Sequence, residues 1–352
     1  MNRRKLLGGV IGAAAVAGAG SWVARARARD AVHWMPPGTP GAMRLRDFGK
    51  TGLKVSEVGF GSWGIGGNYG ATEKAQSLSA LARAEELGCN FVDSAQVYGD
   101  AEVTLGEFLQ GRRSKWIVAT KYSGQKAGLT ATLESQLKRL QTDTIDLYQL
   151  HWVPRGAEAG LFDEIAKIRQ AGKARFIGVS LYSAEDIDDV LDMPHVDAFQ
   201  VAVSLLDPDP FMERLRAIHT GGKAVIVRSA LREGFLTGKF KRDAKFPDPA
   251  DQRHLLTPAQ IAALVDEVER FRFLEPESGS MVNAAARYPL SFAEVSTVIL
   301  GTKTQKQADS NFGQVPGGTL SPAMLDAIRD VQVDLGLGSR THRWLRRIGF
   351  AP

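Results

Sequence analysis

Short apolar runs alternate with segments of helical period along most of the chain. The runs at residues 58–61, 90–94, 116–120, 145–150, 176–180, 198–201, 224–228 and 298–301 are too continuously apolar for strands that face water on one side. They predict buried parallel strands. Between them, residues 75–87, 102–109, 133–140, 161–170, 184–191, 211–220 and 258–273 repeat apolar positions at three- and four-residue spacing, which predicts amphipathic helices. A further helix is expected to begin in 305–311, and residues 44–49 with 53–55 suggest a hairpin before the first buried strand. Eight strands, each followed by a helix, predict an α/β chain folded as a single (β/α)8 TIM barrel over residues 44–338. The long interval after the seventh strand is expected to hold an extra loop, 234–255, and two helices.

A competing architecture is a doubly wound dinucleotide-binding fold, because Gly59, Gly61 and Gly64 satisfy G-x-G-x-x-G. That pattern needs a helix opening at the third glycine. Here Gly66, Gly67 and Gly70 prolong a loop instead, and Asp93 comes later than the spacing of about 20 residues expected of the acidic partner.

Composition narrows the chemistry. With 44% apolar and 24% charged residues, the 352-residue chain has ample material for a core. Cys89 is the only cysteine, so internal disulfides and thiolate metal clusters are excluded, and its junction setting suits a small buried hydrophobe. The six histidines form no H-x-H or H-E-x-x-H, so no metal site is expected, and no G-x-S-x-G elbow signals a serine hydrolase. The formal charge of +5 equals the contribution of Arg3, Arg4, Lys5, Arg25 and Arg27 within the acid-free segment 1–28, so basicity gives no support to nucleic-acid binding.

That segment reads as an export signal, with a basic start, a mildly apolar Ala/Gly-rich stretch at 6–20 and small-x-small cleavage sites around residues 24–28. Arg3-Arg4-Lys5-Leu6-Leu7 resembles a twin-arginine signal. The expected consequences are engagement of the twin-arginine export machinery, cleavage, a periplasmic mature protein and no stable membrane insertion. The alternatives are an ordinary secretory signal or an uncleaved anchor. Residues 29–43 read as an irregular linker, and 339–352 as a basic C-terminal tail.

In a parallel barrel the chemistry sits at the C-terminal ends of the strands. Those ends present Trp63, Asp93 with Tyr98, Lys121, His151 with Trp152, Ser180, Gln200, Arg228 with Ser229, and Gly301-Thr302-Lys303. Packing alone does not call for Asp, Tyr, Lys and His on one face, where burial is costly. A phenol beside an ammonium is expected to have a lowered pKa, an acid keeps the ammonium charged, and an imidazole orients a substrate oxygen. Together they suit protonation of a carbonyl oxygen, with the hydride supplied by a cofactor.

These residues resemble the aldo-keto reductase superfamily, through GFGSWGIGG (59–67), FVDSAQVYGDAEVTLGEFL (91–109), IVATK (117–121), IDLYQLHW (145–152), FIGVS (176–180), SALREGFLTGKF (229–240) and VILGTKTQKQADSN (298–311). The resemblance implies a catalytic tetrad of Asp93, Tyr98, Lys121 and His151, with Tyr98 as general acid. It implies that Ser180 and Gln200 hold the nicotinamide carboxamide, although Leu181 stands where the family often has Asn. Ser229 and Leu231 match the loop over the pyrophosphate, and Arg228 replaces an aromatic ring commonly set against the nicotinamide. Gly301, Thr302, Lys303, Gln307 and Asn311 match the adenosine-phosphate end, while Trp63 and Trp152 match walls of the substrate pocket. The expected activity is reduction of an aldehyde or ketone to an alcohol, or the reverse, with NADP(H) preferred and NAD(H) the alternative. The competing reading is a cofactor-binding regulatory or partner-binding protein of the same fold with slow turnover.

Overall fold

The computed structural model describes residues 34–124, 128–208 and 214–337. The expected signal segment 1–28, the basic tail 339–352 and part of the helix expected at 211–220 lie outside these residues. Two short strands, β1 (Leu45–Asp47) and β2 (Lys54–Ser56), pair antiparallel. Eight others form a closed parallel barrel: β3 (Val58–Gly61), β4 (Phe91–Asp93), β5 (Ile117–Tyr122), β6 (Ile145–Leu150), β7 (Ala174–Ser180), β8 (Ala198–Ala202), β9 (Ala224–Arg228) and β10 (Thr297–Gly301). β10 pairs with β3 and completes the ring. The expected (β/α)8 barrel is therefore the observed one. The glycine pattern at 59–64 opens no helix: Gly59 and Gly61 lie inside β3, and a Cβ on Gly59 would stand 2.8 Å from the Phe91 ring.

The helices are α1 (Lys74–Glu86), α2 (Ala101–Leu109), α3 (Leu129–Leu140), α4 (Leu161–Gln170), α5 (Ala184–Val190), α6 (Leu215–Gly221), α7 (Pro258–Glu269), α8 (Glu275–Ser278), α9 (Met281–Leu290), α10 (Gln305–Gly313) and α11 (Pro322–Asp334). Local chemistry fixes several starts. Ser183 and Asp186 form a capping box on α5, and Thr257 with Gln260 forms one on α7, whose first residue is proline. Helix α11 went unforeseen in the sequence, although Ser321 caps it and Met324, Leu325 and Ile328 form its buried face. Among the described residues, no helix is long and apolar enough to cross a membrane.

The hairpin plugs one end of the barrel. Phe48, in the β1–β2 turn, is fully buried against Phe91, Ala198 and Ala224, the first residues of β4, β8 and β9. Its ring lies 5.8 Å from that of Phe91. The opposite end is thereby left as the open mouth. The segment expected as a linker is irregular from 34 to 43 yet docked. Trp34 stacks on Phe292 at 5.4 Å, and the N–H groups of Met35 and Gly41 donate to Ser291 O and Pro316 O. Cys89 is buried as expected, and burial pushes its thiol up to about 12.

One buried acid braces the wall nearest the chemistry. Glu102 on α2 accepts from Thr120 Oγ1 at 2.6 Å, from Gln136 Nε2 at 2.7 Å and from Arg139 Nε and Nη2 at 2.8 and 2.6 Å. It ties α2 to β5 and α3. Gly106 allows α2 to approach α3 so closely, since a Cβ there would stand 2.1 Å from Arg139 O. Replacing Glu102 with Ala strands this set of donors without an acceptor and should cost about 3–5 kcal/mol in denaturant unfolding. A loss below about 1 kcal/mol would show that the brace is not structural.

Candidate active site

Asp93 ends β4, and Lys121 lies on the neighbouring strand. The sequence expectation ended that strand at Thr120. It continues to Tyr122, which sets Lys121 within the strand and fully buried. Lys121 Nζ donates to Asp93 Oδ2 at 2.5 Å and to Ser94 O at 2.7 Å. The other carboxylate oxygen, Oδ1, accepts from Gln149 Nε2 at 3.0 Å and Gln200 Nε2 at 2.9 Å. Asp93 thus accepts from Lys121 on one oxygen and from two amides on the other. Gln149 is a functional residue that the sequence reading missed. Its signal was a polar side chain in the otherwise apolar end of β6, paired in register with Lys121.

Tyr98 follows in the loop after β4. Two glycines set its position. A Cβ on Gly66 would meet Tyr98 O at 2.1 Å, and Gly99, at φ +48°, would meet Gly66 O at 2.3 Å. Only hydrogen at both positions lets the β3 and β4 loops touch. The Tyr98 ring meets Trp63 edge-on at 4.7 Å and His151 at 6.0 Å, with Lys121 Nζ 5.1 Å from its centroid. The expected tetrad therefore converges. The expected lowering of the Tyr98 pKa does not hold here. Burial pushes the phenol up, Asp93 adds to the rise, and Arg228 opposes it. The ammonium faces the ring while being bonded to Asp93, so Tyr98 stays a neutral phenol.

His151 Nδ1 lies 2.8 Å from Ser123 Oγ. Burial, with the charges of Lys121 and Arg228, pushes the imidazole down to about 3, so the ring is neutral at ordinary pH. Lys121 also lies below the usual lysine value, burial outweighing the pull of Asp93.

The residues nominated for a dinucleotide line the rest of the mouth. Ser180 pairs in register with Gln200, and its Oγ is buried without a hydrogen-bond partner. An orphaned buried hydroxyl fits a ligand carboxamide. Gln200 gives its amide N–H to Asp93 rather than leaving it free for a ligand. Leu181 is fully buried, and its carbonyl accepts from Arg228 Nη2 at 3.2 Å. Ser229 adopts φ +60°, and Leu231 O accepts the N–H groups of Gly234 and Leu236, so both residues shape the tight turn after β9. Arg232 in that turn was not foreseen. Its Nε is buried without a partner, and a basic residue in a loop expected over phosphates was the available signal.

At the end of β10, Thr302 Oγ1 is buried between Leu300 O and Asn311 Nδ2. Gln307 Oε1 caps Lys303 N at 2.7 Å, and Asn311 also reaches Gly301 O. Lys303, expected to be free for a phosphate, donates to the carbonyls of Tyr69, Gly70 and Ala71 at 3.0, 3.0 and 3.3 Å. These acceptors are neutral, and the carboxylates of Asp251 and Asp248 lie close enough to pull on the ammonium without bonding it. Trp63 packs edge-on against Tyr98. Trp152 lies on Tyr122 at 5.9 Å, with its Nε1 on Glu158, and borders an outer cavity of about 630 Å³ with Tyr182 and Arg155.

The depressed His151 value has a measurable consequence. Between pH 6.5 and about 3 the unfolded chain binds a proton at this ring that the folded chain refuses. Stability therefore falls as pH drops through that window, by up to about 1.4 kcal/mol per pH unit. His151→Gln should flatten this acid limb when denaturant midpoints are compared between about pH 4 and pH 7. An unchanged slope in the variant would contradict the assignment.

The model described as "Aldo/keto reductase family" matches residues 57–332. Aldo-keto reductase YhdN of Bacillus subtilis is 27% identical over 311 residues, covering 79% of this chain and 90% of that protein. Aldo-keto reductase yakc [NADP(+)] of Schizosaccharomyces pombe is 27% identical over 305 residues, covering 78% and 88%. The holo form of aldo-keto reductase AKR11C1 from Bacillus halodurans superposes with a TM-score of 0.67 at 26% identity, covering 82% of this chain and 96% of that one. The chain belongs to the aldo/keto reductase family, and it is an oxidoreductase of that type.

Proposed function

We propose that the chain reduces an aldehyde or ketone to an alcohol with NADP(H), using Tyr98 as the general acid. The observation that carries this reading is the neutral Tyr98 phenol standing over the buried Lys121–Asp93 pair and beside a neutral imidazole. Carbonyl reduction needs a proton at the oxygen as negative charge develops there. Tyr98 donates it. Lys121 stabilises the phenolate left behind, Asp93 fixes Lys121, and His151 donates a hydrogen bond that orients the carbonyl. The nicotinamide supplies the hydride when bound. Ser180 Oγ is the free polar handle for its carboxamide. Preference for NADP(H) is supported by Lys303, whose ammonium is hydrogen-bonded only to neutral loop carbonyls, since a phosphate dianion out-competes neutral carbonyls for an ammonium. It is supported too by a relative whose name carries NADP(+).

Tyr98→Phe should keep the fold and cofactor affinity but lower single-turnover reduction of an aldehyde by about 10²–10⁴-fold. Reduction at the unaltered rate would remove Tyr98 from the mechanism. A folded, cofactor-bound wild type that reduces no member of a broad carbonyl panel would favour the regulatory reading.

The same proposal extends to location. Arg3-Arg4-Lys5-Leu6-Leu7 supports twin-arginine export of the folded chain to the periplasm, with cofactor bound beforehand. Changing Arg3 and Arg4 together to Lys should trap the precursor in the cytoplasm on fractionation. Normal export of that variant would overturn the assignment.

A further inference from the structure

Arg228 is a partly buried cation at the C-terminal end of β9. Its Nη2 donates to Leu181 O at 3.2 Å, and its guanidinium lies 4.6 Å from the centroid of the Tyr182 ring. Its Nε is buried without a partner. A carbonyl and an aromatic face leave the full positive charge in place. Among the described residues no carboxylate pairs with Arg228, and the acid of the mouth, Asp93, is already paired with Lys121.

The barrel order says what this charge faces. A proton donor and a hydride donor must reach the same carbonyl, so the nicotinamide has to lie across the mouth from Tyr98. Around the ring, β8 is the fourth strand from β4 and so forms the opposite wall, flanked by β7 and β9. β7 and β9 end in Ser180, with its orphaned hydroxyl, and Arg228, and β8 carries Gln200 in register with Ser180. The Arg228 charge is strong enough across the mouth to oppose the rise of the Tyr98 pKa and to help depress His151.

On this basis we infer that Arg228 sets the oxidation-state preference of the site, making the chain hold reduced nicotinamide more tightly than oxidised nicotinamide. The oxidised ring carries a positive charge, and the reduced ring carries none. An unpaired guanidinium beside the ring therefore raises the energy of the oxidised complex alone. The consequence is a tighter grip on the cofactor before hydride transfer than after it, which eases release of the spent form. This inference rests on the carbonyl-reductase reading, because it presupposes a nicotinamide at the Ser180–Gln200 wall.

The test is equilibrium binding, followed by quenching of tryptophan fluorescence, with NADPH, NADP+, NADH and NAD+ as probes. The wild type should bind the reduced form of either cofactor more tightly than its oxidised form. Arg228→Gln should shrink that ratio on the order of tenfold, the size of a partly screened charge interaction. A tenfold change corresponds to about 30 mV in the potential of the bound two-electron couple. Arg228→Lys keeps the charge and should keep most of the ratio. Equal weakening of both forms in Arg228→Gln would mean a packing role and overturn the inference. Loss of the ratio in Arg228→Lys to the same extent as in Arg228→Gln would overturn it as well. If the folded wild type binds none of the four probes, the carbonyl-reductase reading fails and the inference fails with it. If they bind with a ratio indifferent to Arg228, only the inference fails.

Discussion

The structure turns on one ion pair placed where water cannot reach it. Asp93 and Lys121 expose 1% and 0% of their side chains. Burying two charges is expensive, and their mutual attraction repays the cost only when the remaining lone pairs and protons are also satisfied. Here they are. Ser94 O takes a second ammonium proton, and the amides of Gln149 and Gln200 occupy the second carboxylate oxygen. Four strands, β4, β5, β6 and β8, therefore contribute to a single charge cluster. Neither charge can be removed alone without stranding the other, and the Tyr98 ring stands on the result.

The rest of the barrel divides its labour around that cluster. At the closed end, the hairpin supplies Phe48 as a stopper, and the interior is apolar. At the open end, loops are pinned by side chains. Lys303 gathers three successive carbonyls of the β3 loop, while Tyr69 pairs with Asp251 across the mouth. Asp251 in turn holds Arg253, whose guanidinium lies 4.9 Å from the Tyr69 ring and 4.5 Å from that of Phe246. Ser180 Oγ, Trp63 Nε1, Arg228 Nε and Arg232 Nε are buried without a hydrogen-bond partner after this pinning.

Much of this was legible in the chain. The eight buried strands could be found because burial on both faces demands continuous apolar runs, and Val58–Gly61, Ile145–Leu150 and Ala224–Arg228 emerged at their expected bounds. Asp93, Tyr98, Lys121 and His151 could be nominated together because parallel strands all deliver their C-terminal ends to one face. Helix α11 escaped because its start signal, Ser321-Pro322, follows a Gly- and Pro-rich stretch that reads as loop. The docking of residues 34–43 escaped because an irregular segment shows no period even when its backbone is tied down at several points, as at Met35, Gly38 and Gly41.

What the sequence alone determined is the order of elements and the residue type at each strand end, since both follow from local period and covalent sequence. What only the tertiary structure decided is which group each of those residues meets. Gln149 and Gln200 both turn to Asp93, Lys303 turns to loop carbonyls, Arg228 turns to the Leu181 carbonyl, and the Tyr98 pKa rises instead of falling. Those outcomes depend on register, side-chain direction and depth of burial across residues far apart in the chain, and hydrogen-bond geometry and desolvation are fixed by distances in space that no local pattern encodes.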